Sequence, residues 1–251
     1  MNKFSFFKSE YIEFVIIDNS TIEFDEHCHS SDFVITIITY GNAILRLNGI
    51  DRTIHANELF KIAPYETHAL SSDSPVTAVT MCIKKDLVFS NNADGYIQQI
   101  RNSLLEFAKH ANALNWSEDL SDMLHEAALE LFADYWCEDN DTLFTISRSE
   151  IETNPEQEND IEYYAQKSYV SKYHFIRKFK EIAGLTPHKF QIQSRIRKAQ
   201  HLLLMGESVA DTAMLTGFFD QSHFDKYFRK IVGMSPTEYV MSVRNFLQDE
   251  N

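Results

Sequence analysis

The chain has 251 residues, 44% of them hydrophobic and 24% charged, a composition that excludes a disordered or low-complexity protein and a length that favours two domains over one. Its net charge of −14 excludes a uniformly basic nucleic-acid binder, yet the charge is segregated. Residues 1–154 carry 10 Lys and Arg against 25 Asp and Glu, whereas 159–248 carry 13 against 8. Cys28, Cys82 and Cys137 lack a CxxC spacing and argue against a disulfide framework. With neither a run of ~18 apolar residues nor a signal-like start, a cytoplasmic protein without membrane contact is expected.

From Tyr11 to about Lys84 the sequence reads as short β segments: Ile12–Ile17, Phe33–Tyr40, Ala43–Leu47, Glu58–Ile62 and Val76–Ile83. Turn residues such as Gly41-Asn42, Asn48-Gly49 and Pro64 punctuate them, which predicts a small antiparallel barrel or sandwich. From about Asn92 the period becomes helical. Ile97, Ile100, Leu104 and Phe107 share one face, and Leu120, Met123, Leu124, Ala127, Ala128 and Leu131 form a second stripe. These helices either pack on the barrel or pair two subunits, with Leu120, Leu124 and Leu131 as the dimer candidates. Residues 147–160 (SRSEIETNPEQEND) are polar and acidic, and read as a linker.

An internal repeat follows. One copy runs from Ile161 and the other from Val209, aligned at an offset of 48 on Ala165/Ala213 and of 49 on Phe175/Phe224, Phe179/Phe228, Gly184/Gly233 and Pro187/Pro236. The second copy therefore holds one extra residue in the turn between its helices. In each copy a short helix (Ile161–Lys167, Val209–Leu215) is followed by a longer one opened by Ser171 or Asp220 and ended by glycine. This is a pair of helix-turn-helix units. Opposite the phenylalanines, each second helix carries polar and basic residues: Tyr173, Arg177 and Lys180, then Ser222, Lys226 and Arg229. Such a face suits base edges and phosphates. Pro187–Met205 reads as a connecting helix with Arg195, Arg197 and Lys198 outward.

The strings SKYHFIRKFK from Ser171, GLTPHKF from Gly184, RIRKAQHLLL from Arg195 and GFFDQSHFDKYFRKIVGMSPTEY from Gly217 resemble the DNA-binding domain of the AraC/XylS family of transcription regulators. The resemblance implies base-facing roles for Tyr173, Ile176 and Arg177 in the first unit and for Gln221, Ser222, His223 and Lys226 in the second. Lys180 and Arg229 then suit phosphates. The β-rich part resembles the family's cupin-like sensor through His27-Cys28-His29, Tyr40-Gly41-Asn42 and NELFKIAPYETH from Asn57. That implies an α+β two-domain chain: a small cupin-like β-barrel with following helices, then an all-α double helix-turn-helix. The expected division is a sensor over 1–90, a helical, candidate dimerisation segment over 91–146, a linker over 147–160 and the DNA-binding domain over 161–251.

His27, His29, Tyr40 and His68 are the candidate effector-binding residues. HxH on a strand puts two imidazoles on one face, which invites a metal reading. The acidic residue that completes the set in metal-binding cupins is replaced by Phe33 and Val34, with Asp32 slightly early, so no metal and no cofactor is expected. No catalytic constellation is visible either. The expected function is a sequence-specific regulator, by family default an activator, responding to a small molecule that shifts how Asn92–Trp136 and the linker present the DNA-binding domain. Double-stranded DNA, RNA polymerase and a second copy of the chain are its implied partners. The alternative is a cupin metal sensor or enzyme fused to a DNA-binding module.

Overall fold

The computed structural model describes residues 4–8, 11–90, 93–110, 116–134, 143–157 and 160–248. Asn92, Trp136, Cys137 and positions 158–159 of the expected linker lie outside them. Among the described residues nine strands precede ten helices: β1 (Phe4–Lys8), β2 (Ile12–Ser20), β3 (Glu23–His27), β4 (Asp32–Tyr40), β5 (Asn42–Leu47), β6 (Ile50–His55), β7 (Leu59–Ile62), β8 (His68–Ser71) and β9 (Val76–Lys84). They form two separate antiparallel sheets, ordered β1-β2-β9-β4-β7 and β3-β8-β5-β6, so the cupin-like domain is a pair of sheets and not a closed barrel. Asn48-Gly49, both at positive φ, make the two-residue hairpin between β5 and β6. Ile17, Val34, Ile38, Leu45, Ile54 and Ile62 are buried together as one core cluster with residues from both sheets.

After α1 (Lys85–Ser90), α2 (Ala93–His110) and α3 (Glu118–Asp134) lie on the five-stranded sheet. Tyr96, Ile100, Leu104 and Phe107 of α2 and Leu124, Ala127, Ala128 and Leu131 of α3 share one core with Phe14, Ile35, Val79 and Met81. Phe107 stacks on Phe14 at 4.2 Å, and the Tyr96 hydroxyl donates to the Ala128 carbonyl at 2.9 Å. Each fully buried large apolar side chain here stabilises by about 1.5–3 kcal/mol. Both apolar stripes are therefore spent inside the chain. Leu124 and Leu131 are buried and Leu120 packs on the same core, which removes the proposed dimer seam.

The stretch expected to be a linker begins in a helix, α4 (Leu143–Thr153). Ile151 is fully buried against the first helix-turn-helix unit, and buried Arg148 lies over the Tyr65 ring at 3.8 Å. Then come α5 (Ile161–Lys167), α6 (Lys172–Ala183), α7 (Pro187–Leu204), α8 (Val209–Leu215), α9 (Gln221–Val232) and α10 (Pro236–Gln248). The repeat is realised as its sequence demands. Ser171 Oγ accepts from the His174 N–H and Asp220 Oδ1 from the His223 N–H, while Gly184 and Gly233 close α6 and α9 in the left-handed conformation. The extra residue of the second copy is Phe219. Tyr169 and Gly217 occupy matching positive-φ turn positions, Val170 and Phe218 bond back to Ala165 and Ala213, and only the second copy then inserts a residue before its cap. Replacing Asp220 with alanine should cost about 1 kcal/mol through the orphaned first-turn N–H, read by chemical denaturation. An unchanged midpoint would contradict it.

Candidate DNA interface and effector cavity

Burial fixes which face of each recognition helix is free. Phe175 and Phe179 of α6, and Phe224 and Phe228 of α9, are fully buried in separate cores, so the opposite faces point outward. Tyr173 (87% exposed), Arg177 and Lys180 are exposed on α6, with Ile176 half-buried; Gln221, Ser222, His223, Lys226 and Arg229 are exposed on α9. Arg177 has only a loose 4.0 Å approach to Glu181, and Arg229 one of 3.8 Å to Glu238, both exposed pairs that DNA can displace. At 1.5 Å rise, the 18 residues of α7 span about 27 Å between the two units.

The basic residues of α7 do something else. Arg195 donates to the Pro155 and Gly217 carbonyls at 2.7 and 2.6 Å, and Lys198 pairs with Glu156 at 2.8 Å. Arg197 donates to the Cys28 carbonyl at 2.5 Å and to Ser30 Oγ. None of the three is an outward phosphate contact: two clamp the end of the linker, and Arg197 holds the sensor. Sequence spacing could not show this, because the partners lie 22 to 169 positions away.

The sensor touches both recognition units at their glycine ends. Thr67 Oγ1 donates to the Gly184 carbonyl at 2.6 Å, and the Phe24 ring lies against Gly233. Two ion pairs bind β3 to the helices, Lys230 with Asp25 and Lys189 with Glu26, the latter at 2.8 Å. Lys189 holds the Glu26 carboxyl below the usual range, and Asp25 raises Lys230.

Between the sheets and the helices lies a cavity of about 350 Å³, within the usual range for small-molecule sites. Its apolar walls come from the sheets (Phe6, Val15, Phe60, Leu70) and from the DNA-binding half (Leu204, Ile231, Tyr239). Its charged lining includes Lys8, Glu13, Asp32 and Lys84; burial raises Glu13 although Lys8 lies 3.7 Å away. Gln193, Arg197 and the three histidines line it as well. His27 on β3 is paired in register with His68 on β8, and the ring centroids of His27, His29 and His68 lie 4.2–5.3 Å apart. Burial, then the neighbouring imidazoles, pushes His27 down to about 3 and His29 well below its ordinary value; burial lowers His68 to about 4. All three rings are neutral at pH 7. Tyr40, expected beside them, is 64% exposed and does not line the cavity, because it ends β4 where the register shifts.

Residues 11–127 match the model of the AraC-like ligand binding domain, and 164–242 match that of a helix-turn-helix domain. The chain belongs to the AraC/XylS family of transcription regulators. It is 26% identical to the uncharacterized HTH-type transcriptional regulator YbfI of Bacillus subtilis, covering 80% of this chain and 81% of that protein. Over 73 residues it is 40% identical to the HTH-type transcriptional activator RhaS of Escherichia coli, covering 29% of this chain and 26% of that one. The match to the probable regulator LumQ of Photobacterium leiognathi is 33% over 78 residues, covering 31% of this chain and 32% of that protein, so the chain spans about a third of its length. ToxT of Vibrio cholerae has the same fold, with a TM-score of 0.60 at 13% identity over 94% of this chain and 99% of that one.

In this AraC/XylS chain the contact between sensor and reader is direct. The Cys28 N–H donates to Gln193 Oε1 at 3.1 Å, and its carbonyl accepts from Arg197. Gln193 and Arg197 are the functional residues that sequence reading missed; their only signal was a polar position on an otherwise buried face of α7.

Proposed function

We propose that the chain is an effector-responsive transcription regulator that binds operator DNA through α6 and α9 and senses a small amphipathic molecule in the cavity. The observation that carries this reading is that the cavity is walled by both halves of the chain. A molecule seated there touches the sheets and the helices at once, and so has unequal affinity for docked and undocked arrangements, which is the requirement for a switch. Its chemistry follows from the walls: an apolar body with an anionic or hydrogen-bonding head facing Lys8, Lys84 or Arg197. A ToxT structure contains an unsaturated fatty acid, which makes long-chain carboxylates the first class to test. The coupling runs through α7 and β3 and needs no relay through the helices that follow the sheets.

Two reading helices joined by α7 let one chain address two successive major grooves, about 34 Å apart on B-DNA. A homodimer would double the operator, and it must use a surface other than the buried Leu124 and Leu131. Contact with RNA polymerase, activation, and a cytoplasmic setting complete the reading; no described helix is long and apolar enough to cross a membrane. Replacing Arg177 with alanine should weaken operator binding by about 1–3 kcal/mol and relax preference at one base pair, measured by binding to operator variants. Uniform losses across all sequences would make Arg177 a phosphate contact. Replacing Lys180 should instead lower the salt slope by about one.

A further inference from the structure

Three imidazoles that line the cavity, those of His27, His29 and His68, are not used by the regulator function proposed above. His27 Nδ1 lies 2.7 Å from the Asp25 carbonyl and His68 Nδ1 3.1 Å from the Glu66 carbonyl. A carbonyl only accepts, so in both rings Nδ1 carries the proton and Nε2 keeps its lone pair. Among the described residues no hydrogen bond occupies those two Nε2 atoms or either ring nitrogen of His29. All three side chains line the cavity, so these nitrogens hold lone pairs available to a ligand there. One ligand nitrogen from each ring can be chosen so that all three lie within 4.8 Å of one another.

We propose that His27, His29 and His68 form a divalent transition-metal site whose open side faces the effector cavity. Nitrogens about 2.1 Å from a tetrahedral ion lie about 3.4 Å apart, so closing the set takes side-chain shifts of roughly an ångström. Backbone carbonyls on the distal Nδ1 atoms are the outer contacts that fix the tautomer and aim of metal-bound histidines. An all-imidazole set selects Zn, Fe, Co, Ni or Cu over Mg or Ca, and no thiolate intrudes: Cys28 points the other way, with its Sγ on the Ala183 carbonyl at 3.6 Å. The set lacks the acidic ligand of metal-binding cupins, with Phe33 and Val34 in its place. Three protein ligands with a fourth position left to water or a bound molecule are, however, a complete open site. An anionic effector head would fill that position and offset the charge of nearby Arg197.

The placement links the site to DNA binding. In the segment 27–29 the two outer side chains face the cavity while Cys28 between them is bonded to Gln193 and Arg197 of α7. A metal that holds His27 and His29 fixes the segment on which the helix joining both reading units is docked. This inference rests on the effector cavity of the proposed function, and its test does not.

The full chain, stripped with EDTA and dialysed, is titrated with Co²⁺ and followed by visible absorption, then competed with Zn²⁺. One cobalt per chain with ligand-field bands is expected, displaced by zinc. His29→Ala and His68→Ala should each lower cobalt affinity by more than about tenfold, since even loss of an outer contact costs that much. His201→Ala, which alters a cavity histidine outside the trio, should leave it unchanged. His29→Gln, with circular dichroism and operator binding as measures of folding, guards against a variant that merely unfolds. Absence of saturable cobalt binding, or binding that survives in folded His29 and His68 variants, overturns the site. If that folded protein still binds operator DNA, the regulator reading stands while the metal falls.

Discussion

Replacing Phe224 with alanine is expected to destabilise the chain by about 3–5 kcal/mol and to remove operator contacts of the second helix-turn-helix unit before those of the first. Phe224 is fully buried, and its neighbours explain the size of the effect. It lies 5.3 Å from Phe218 and 5.4 Å from Phe228, which in turn meets Tyr239 at 5.6 Å, and Tyr239 meets Phe6 of β1 at 5.3 Å. The ring is thus a link in an aromatic chain running from Phe218 through α9 and α10 into the sensor sheet, and a cavity there loosens the reader and its attachment together. A domain with 5–15 kcal/mol of total stability loses much of its margin. Denaturant unfolding gives the magnitude, and footprinting on an operator gives the order of loss. A change below about 1 kcal/mol, or simultaneous loss of both halves of the footprint in a folded variant, would show that the two units are not the independent cores described here.

That independence was legible in the sequence, because a repeat with two offsets records its own geometry. Ala165/Ala213 and Phe175/Phe224 differ by one residue, and the structure puts that residue at Phe219, which is 93% exposed. The five Val-, Ile- and Thr-rich strands were equally readable, within a residue or two at most ends. β3 was not: Glu23-Phe24-Asp25-Glu26-His27 has the composition of a loop, and it becomes a strand because β8 offers it a ladder and because its acids meet Lys189 and Lys230. α4 was hidden for a related reason. Its packing rests on two apolar residues spaced seven apart, Phe144 and Ile151, and between them on Arg148 over the Tyr65 ring, a cation–π pair that hydrophobic periodicity does not register. Among the site residues, the exposed face of each reading helix followed from the repeat, and the HxH pair from its spacing. The α7 clamp did not, since an arginine that binds a distant carbonyl looks the same in sequence as one that binds phosphate.

The tightest test of the docked arrangement is a single added methyl group. Gly184 caps α6 at φ +74°, and a Cβ there would lie 2.1 Å from the Tyr65 carbonyl oxygen and 2.5 Å from Thr67 Oγ1. Gly184→Ala therefore incurs about 1–2 kcal/mol for a left-handed non-glycine residue and an overpacking cost of about 1–3 kcal/mol. The Tyr65 turn cannot yield easily: Tyr65 is itself at positive φ, its N–H donates to the His29 carbonyl at 2.6 Å, and Glu66 Oε2 accepts from the Ala63 N–H at 3.0 Å. Gly206 supplies the control, because it has φ +99° with nothing within 4 Å of an added Cβ. Gly206→Ala should show the backbone strain alone. Gly184→Ala should lose more stability than Gly206→Ala, and its operator affinity should respond less to an effector, since the first reading unit no longer sits on the sensor turn. Equal destabilisation by the two substitutions, measured by thermal unfolding, would mean that the contact between Gly184 and the sensor does not hold the halves together. The effector would then have to act through β3 and Arg197 alone.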